Sequence, residues 1–108
     1  MTPLSYQILL ALADAHRHGY GIIKEVLERT NGEIELETGT LYTALRRLRD
    51  DGLLAVVAPE KRPQGEDSRR KTYRLTSLGK RVLEAETVRL ASLIRVAIQK
   101  KVIPSNAF

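Results

Sequence analysis

The segment Thr38–Leu54, Thr-Gly-Thr-Leu-Tyr-Thr-Ala-Leu-Arg-Arg-Leu-Arg-Asp-Asp-Gly-Leu-Leu, restricts the fold of this chain more than any other stretch. Leu41, Ala44, Leu45 and Leu48 fall at i, i+3, i+4 and i+7, which writes one apolar stripe along a helix. Thr38 reads as its N-cap, and Gly52 as the left-handed residue just past its last turn. The other side carries Thr40, Tyr42, Thr43, Arg46, Arg47 and Arg49, all hydrogen-bond donors, with no carboxylate before Asp50 and Asp51. Such a surface suits phosphates and guanine edges, because the arginine fork can bond O6 and N7 together. A solvated helix face can have the same composition. The charge of the whole chain separates the two readings. Residues 38–75 hold nine Lys/Arg against five Asp/Glu, a net of +4, whereas the remainder holds nine against eight, a net of +1, so the excess is local, as a nucleic-acid footprint requires.

With 108 residues the chain has room for one modest core. It has no cysteine, hence no disulfide framework and no Cys-ligated zinc, in keeping with a reducing setting. No apolar run approaches the roughly 20 residues of a membrane span, and no basic-then-apolar leader opens the chain. The expectation is a soluble, cytoplasmic protein with no membrane partner and no cofactor.

Thr2-Pro3 reads as an N-cap followed by proline at N1, opening a helix whose stripe Leu4, Ile8 and Leu12 runs to about Ala15. His16-Arg17-His18-Gly19-Tyr20-Gly21 reads as a turn. Two histidines with no third His or Cys partner do not close a metal site. A second helix is expected from about Tyr20 to Asn31, with Ile22, Ile23, Val26, Leu27 and Thr30 inward, stopped by Gly32. The alternation Glu33-Ile34-Glu35-Leu36-Glu37 suits a short strand or an extended link. Its carboxylates have no nucleophile or base beside them, and no other His, Asp or Glu has one at motif spacing, so an enzyme is not expected. The third helix then occupies the reading position of a helix-turn-helix.

Leu53–Ala58 and Arg70–Leu75 are strand candidates, and Pro59–Arg69 between them is made of turn formers and charge. Following a basic third helix, this hairpin reads as a wing whose Lys61, Arg62, Arg69, Arg70 and Lys71 could reach phosphates or a minor groove. The fold expected is α+β, mainly α: a winged helix-turn-helix over residues 1–75, a long C-terminal dimerisation helix over 76–103 and a tail at 104–108. In that helix Thr76 can cap the start, no breaker follows Gly79, and seven of the nine residues Leu90–Ile98 are apolar. Leu83, Leu90, Ile94 and Ala97, with Leu93 and Ile98 beside them, are spaced as the seam of a homodimer.

His18-Gly19-Tyr20 with Ile22-Ile23, Gly39-Thr40-Leu41-Tyr42 with Ala44-Leu45-Arg46-Arg47-Leu48, Asp51-Gly52-Leu53, and Arg70-Lys71-Thr72-Tyr73-Arg74-Leu75-Thr76 with Gly79 together resemble the signature of PadR-type transcriptional regulators. The resemblance covers about residues 4–100. Thr43 stands where members commonly have proline. What it implies is a dimeric repressor, often inducible by a small molecule, that binds double-stranded operator DNA. Thr38, Thr40, Tyr42, Thr43, Arg46, Arg47 and Arg49 would work from the helix. Arg46 or Arg47 is placed for guanine, Thr40 and Tyr42 for phosphate, and Tyr20 either touches DNA or braces the turn. Two recognition helices about 34 Å apart would enter successive major grooves. An inducer could sit between the long helices and the first helices, although a chain without tryptophan and with one phenylalanine is poorly supplied for stacking flat aromatics. A different class of reading is a winged helix that docks a protein through its long helix, but such a face would not need arginines on both the third helix and the wing.

Overall fold

A computed structural model describes residues 1–58 and 70–107. The elements are α1 (Pro3–Ala11), β1 (Arg17–His18), α2 (Gly19–Arg29), α3 (Thr38–Asp50), β2 (Leu54–Val56), β3 (Thr72–Leu75), α4 (Ser77–Gln99) and a 3-10 turn (Ser105–Ala107). The expected turn Pro59–Arg69, with Lys61, Arg62 and Arg69, lies outside the described residues, as does Phe108.

Thr2 caps α1, its hydroxyl accepting from the Ser5 amide at 3.1 Å, and Pro3 takes the first helical position. The helix ends at Ala11 rather than near Ala15: Arg17 folds back, and its Nε donates to the Ala11 carbonyl at 2.8 Å. The residues expected as a turn contain β1, a two-residue strand paired antiparallel to β3 with Arg17 opposite Tyr73 and His18 opposite Thr72. Two residues are too few to display a period-two pattern, so only the partner strand reveals them. His18 also caps α2, its Nδ1 accepting from the Gly21 amide at 3.1 Å. At the far end of α2 the left-handed turn starts one residue early, at Asn31 (φ 54°), with Gly32 (φ 83°) donating to the Leu27 carbonyl at 2.8 Å. Glu33–Glu37 is an extended link without a strand partner among the described residues.

In α3 the N-cap is Glu37, not Thr38, which is already helical. Glu37 makes no side-chain cap bond; its carboxylate instead accepts from the Thr40 hydroxyl at 2.9 Å. The other end matches the sequence expectation. Gly52 turns left-handed at φ 80°, its amide reaches the Arg49 carbonyl at 3.0 Å, and the Leu53 amide reaches the Leu48 carbonyl at 3.0 Å, the two bonds of a Schellman motif. β2 and β3 form the antiparallel hairpin, Leu54 opposite Leu75 and Val56 opposite Tyr73, in a sheet of order β1-β3-β2.

Ile8 and Leu9 of α1, Ile22 and Val26 of α2, and Leu41 and Leu45 of α3 are fully buried and form the centre of the core, closed by Leu54, Tyr73 and Leu75 of the sheet. Leu83 belongs to this same core at 8 % exposure, which corrects its place in the expected dimer seam. The reason is that the first turns of α4 lie against α1. Thr87 donates to the Leu83 carbonyl at 2.8 Å, so Tyr6 must be the donor in its 2.6 Å bond to Thr87.

Thr76 joins the two halves. Its Oγ1 accepts from the Gly79 amide at 3.0 Å, capping α4, and donates to the Gly52 carbonyl at 2.6 Å. A Cβ at Gly79 would collide with the Leu53 carbonyl, so α4 can start this close to α3 only with glycine there. Thr76→Ala should lower stability by about 1–3 kcal/mol, from the lost cap and the orphaned carbonyl together. Thr76→Ser should retain most of it, as denaturant unfolding will show.

Candidate nucleic-acid interface

Successive α3 residues lie about 100° apart around the axis, so the donor face divides into two strips. Thr38, Arg49, Tyr42 and Arg46 look towards β3; Thr43, Arg47 and Thr40 form the far edge. All seven are exposed. The first strip meets the wing strand and the start of α2 across two adjoining concavities. One, of about 330 Å³, is lined by Tyr42, Arg46, Arg49, Arg70, Lys71 and Tyr73. The other, of about 240 Å³, adds His18, Tyr20 and Thr38 around the same Tyr42, Arg70 and Lys71. Residues far apart in sequence, Tyr20, Thr38, Tyr42, Arg46, Arg49, Arg70 and Lys71, are thus brought together.

Tyr42 is the hinge of this surface, and its seat is Gly19. A Cβ built on Gly19 would lie on the Tyr42 ring, 2.6 Å from Cζ, so the first residue of α2 must be glycine for α3 to hold this tyrosine where it is. Tyr42 keeps 42 % of its surface exposed, enough to meet a ligand. Tyr20 is 63 % exposed and stacks on His18 with ring centroids 6.4 Å apart, so it is braced by the cap residue and still faces outward. Gly19, His18 and Glu37 were not singled out from sequence as site residues. Their only signal was their place in local motifs, since the contacts they make are with residues distant in the chain.

Beneath Tyr42 lies Tyr73. Burial pushes its phenol above the ordinary 10.0, Tyr42 pushes the same way, and Arg49 and Arg46 oppose them. None of Arg46, Arg47, Arg49, Arg70 and Lys71 makes an ion pair or side-chain hydrogen bond with another described residue. By contrast Arg17 pairs with Asp14 at 3.3 Å, Arg29 with Glu25 at 2.9 Å, and Arg89 with Glu86. Two hydroxyls of the far edge are engaged inside α3: Thr40 on Glu37, and Thr43 on the Gly39 carbonyl at 3.0 Å. Because no side chain caps α3, the amides of its first turn point outward as a further anion-binding element. Among the described residues no group of three or more His, Cys, Asp or Glu could hold a metal ion.

Three helices, a two-stranded wing behind the third helix, and a long helix after the wing define a winged helix-turn-helix. Residues 8–85 match the family described as transcriptional regulator PadR-like, and the chain belongs to that family. It is similar to a transcriptional regulator of Clostridium thermocellum, with a TM-score of 0.73 and 27 % identity over 93 % of this chain and 90 % of that one. A PadR family transcription regulator of Clostridium difficile gives a TM-score of 0.72 and 28 % identity, covering 91 % and 97 %. Bacillus subtilis PadR, solved in complex with operator DNA, gives 0.68 and 26 %, covering 81 % of this chain and 48 % of its own. An uncharacterised protein of Lysinibacillus sphaericus is 34 % identical over 76 residues, 70 % of this chain and 67 % of that protein. The family and the solved relatives make this chain a DNA-binding transcriptional regulator by class. Among the described residues no helix is long and apolar enough to cross a membrane.

Gly19→Ala should destabilise the domain by about 1–3 kcal/mol through overpacking, and Tyr42→Ala in the same chain should recover part of that loss. A double-mutant cycle by urea unfolding measures the coupling. Tyr73 yields a second prediction, on pH. Its folded pKa lies above its unfolded value, so its contribution is intact below about 10 and is lost as pH rises through the higher folded value. The alkaline fall in thermal stability should become shallower in Tyr73→Phe.

Proposed function

We propose that this chain is a dimeric repressor that binds an inverted-repeat operator and is released from it by a small-molecule effector. The observation that carries the DNA part is the surface just described: cations of α3 and of Arg70–Lys71 just before β3, which make no ion pair with another described residue and come from different parts of the sequence, converge around Tyr42. A cation left without a carboxylate partner can exchange its water and counterions for phosphate, and the salt dependence of binding follows. Arg46 lies in the middle of the donor face and Arg47 on its far edge. Both enter the major groove, where each can take a guanine. Tyr42, Thr38 and the first-turn amides hold phosphates on one side, Thr40 and Thr43 on the other after their hydroxyls turn outward, and Arg49 holds the backbone beside the wing. Arg70 and Lys71, with Lys61, Arg62 and Arg69 from the segment outside the described residues, add affinity more than sequence preference. Tyr20 packs against the sugar-phosphate backbone at the wing side. Repression is the default outcome for a protein seated on an operator that overlaps a promoter, because its bulk would block transcription.

The dimer reading is supported by α4. Beyond Leu83 the helix buries none of its residues in its own domain, yet Val88 and Leu93 are 58 % and 53 % exposed and Leu90, Ile94, Ala97 and Ile98 are half-buried. Covering such side chains is worth about 1.5–3 kcal/mol for each of the larger ones, which a second copy of the helix supplies. Its 23 residues span about 35 Å at 1.5 Å per residue, long enough to set two reading heads one helical turn of DNA apart.

Selection from a random duplex library at physiological salt tests the reading. An enriched inverted repeat with half-sites about 34 Å apart is the expected result. Retention without enrichment, vanishing as salt rises, would leave only phosphate binding and favour a winged helix that docks a protein. On the selected operator, Arg47→Ala should cost about 1–3 kcal/mol and relax one position per half-site. Ile94→Asp should give monomers in sedimentation and weaken operator binding. If it stays dimeric, the seam lies elsewhere.

A further inference from the structure

One residue at the start of the recognition helix can take neither a phosphate nor a guanine edge. Glu37 is exposed at the N-cap of α3, yet its side chain makes no cap bond to an amide. It folds over the first turn instead. Oε2 accepts from the Thr40 hydroxyl at 2.9 Å, and Oε1 lies 3.1 Å from where a Cβ on Gly39 would sit, so glycine at 39 leaves the carboxylate its place. Among the described residues no cation pairs with it. A carboxylate only accepts hydrogen bonds, and guanine shows the major groove only acceptors. Two groups there can satisfy it, the exocyclic amines of cytosine and adenine. They are not equivalent. Adenine N6 lies between two acceptors, its own N7 and the O4 of the paired thymine, and both repel a carboxylate. Cytosine N4 has guanine O6 on one side and only a ring C–H on the other, which leaves an approach open.

We propose that Glu37 is a specificity-determining residue that accepts a hydrogen bond from one cytosine N4 in each half-site. This role rests on the operator-binding reading above. The N-terminal residues of a recognition helix are the ones that meet base edges, and Glu37 stands at that end of α3. In the free protein the Thr40 hydroxyl holds the carboxylate. On the operator Thr40 turns to a phosphate and the cytosine amine takes its place, so the carboxylate exchanges one donor for another. Opposite any other base the exchange fails. The carboxylate is then left desolvated with no donor, and that penalty rejects the wrong sequence.

Selection from a random duplex library, run side by side with the wild-type chain, Glu37→Ala and Glu37→Gln, tests this role. Glu37 makes no side-chain cap bond, so both variants should melt as the wild type does, which thermal unfolding checks. At one position per half-site the wild type should retain cytosine over each other base by about tenfold. Glu37→Ala should retain all four bases there about equally. Glu37→Gln should favour adenine, whose N6 and N7 match the acceptor and donor of an amide. Every other selected position should stay the same in all three. Identical selected sequences from the wild type and both variants overturn the role. So does a gain in affinity by Glu37→Ala that is equal on every sequence, since Glu37 would then only repel phosphates. No enrichment by the wild type overturns the operator reading and this role with it, whereas enrichment that Glu37→Ala leaves unchanged overturns this role alone.

Discussion

One oxygen, Thr76 Oγ1, holds the end of the recognition helix to the start of the long helix. It donates to the Gly52 carbonyl and accepts from the Gly79 amide, so the C-terminal motif of α3 and the N-cap of α4 are parts of one joint. The joint can be this short only because both glycines are where they are: Gly52 takes a left-handed turn, and Gly79 leaves room for the Leu53 carbonyl. Everything that follows in the molecule is placed through it. The wing strand β3 runs straight into Thr76, and α4 leaves in a direction fixed relative to α3.

The candidate interface shows how the fold distributes charge. Outside it, Arg17, Arg29 and Arg89 are each satisfied by a neighbouring carboxylate within four residues, local pairs that cost little and hold a surface in place. On α3 and at Arg70–Lys71, just before β3, the cations make no ion pair with another described residue. Glu37, at the start of α3, is occupied by Thr40 rather than by any described arginine. Tyr42 sits in the middle, seated on Gly19, with Tyr73 below it.

Helix capping, the apolar stripes and the wing were legible in the sequence because each is a local device: a cap needs its next three residues, a stripe needs only its own helix, and a hairpin needs two adjacent runs. Thr2, Gly52 and Thr76 act where their neighbours predicted. The misreadings share one cause. β1 exists because β3 passes beside it, α1 stops at Ala11 because Arg17 returns to it, and Leu83 left the seam because α1 covers it. Each is decided by a contact outside its own element: β3 and α1 lie far along the chain, and Arg17 lies six residues past Ala11. Glu37 displaced Thr38 as the N-cap for a subtler reason, since either residue could stand in the extended conformation and only the path of the preceding link selects between them.

By itself the sequence determined which residues could face DNA, since the donors of α3 are written at helical spacing opposite an apolar stripe, and it determined where that helix ends, since Gly52 alone can turn there. The tertiary structure decided which of those donors act together. It placed Arg70 and Lys71 beside Tyr42 and Arg46, gave Tyr42 its seat on Gly19, and separated Arg47 and Thr43 to the far edge. The physical reason is range. Spacing along a helix is set by hydrogen bonds four residues apart, whereas the company a side chain keeps is set by how whole elements pack, which no local pattern encodes.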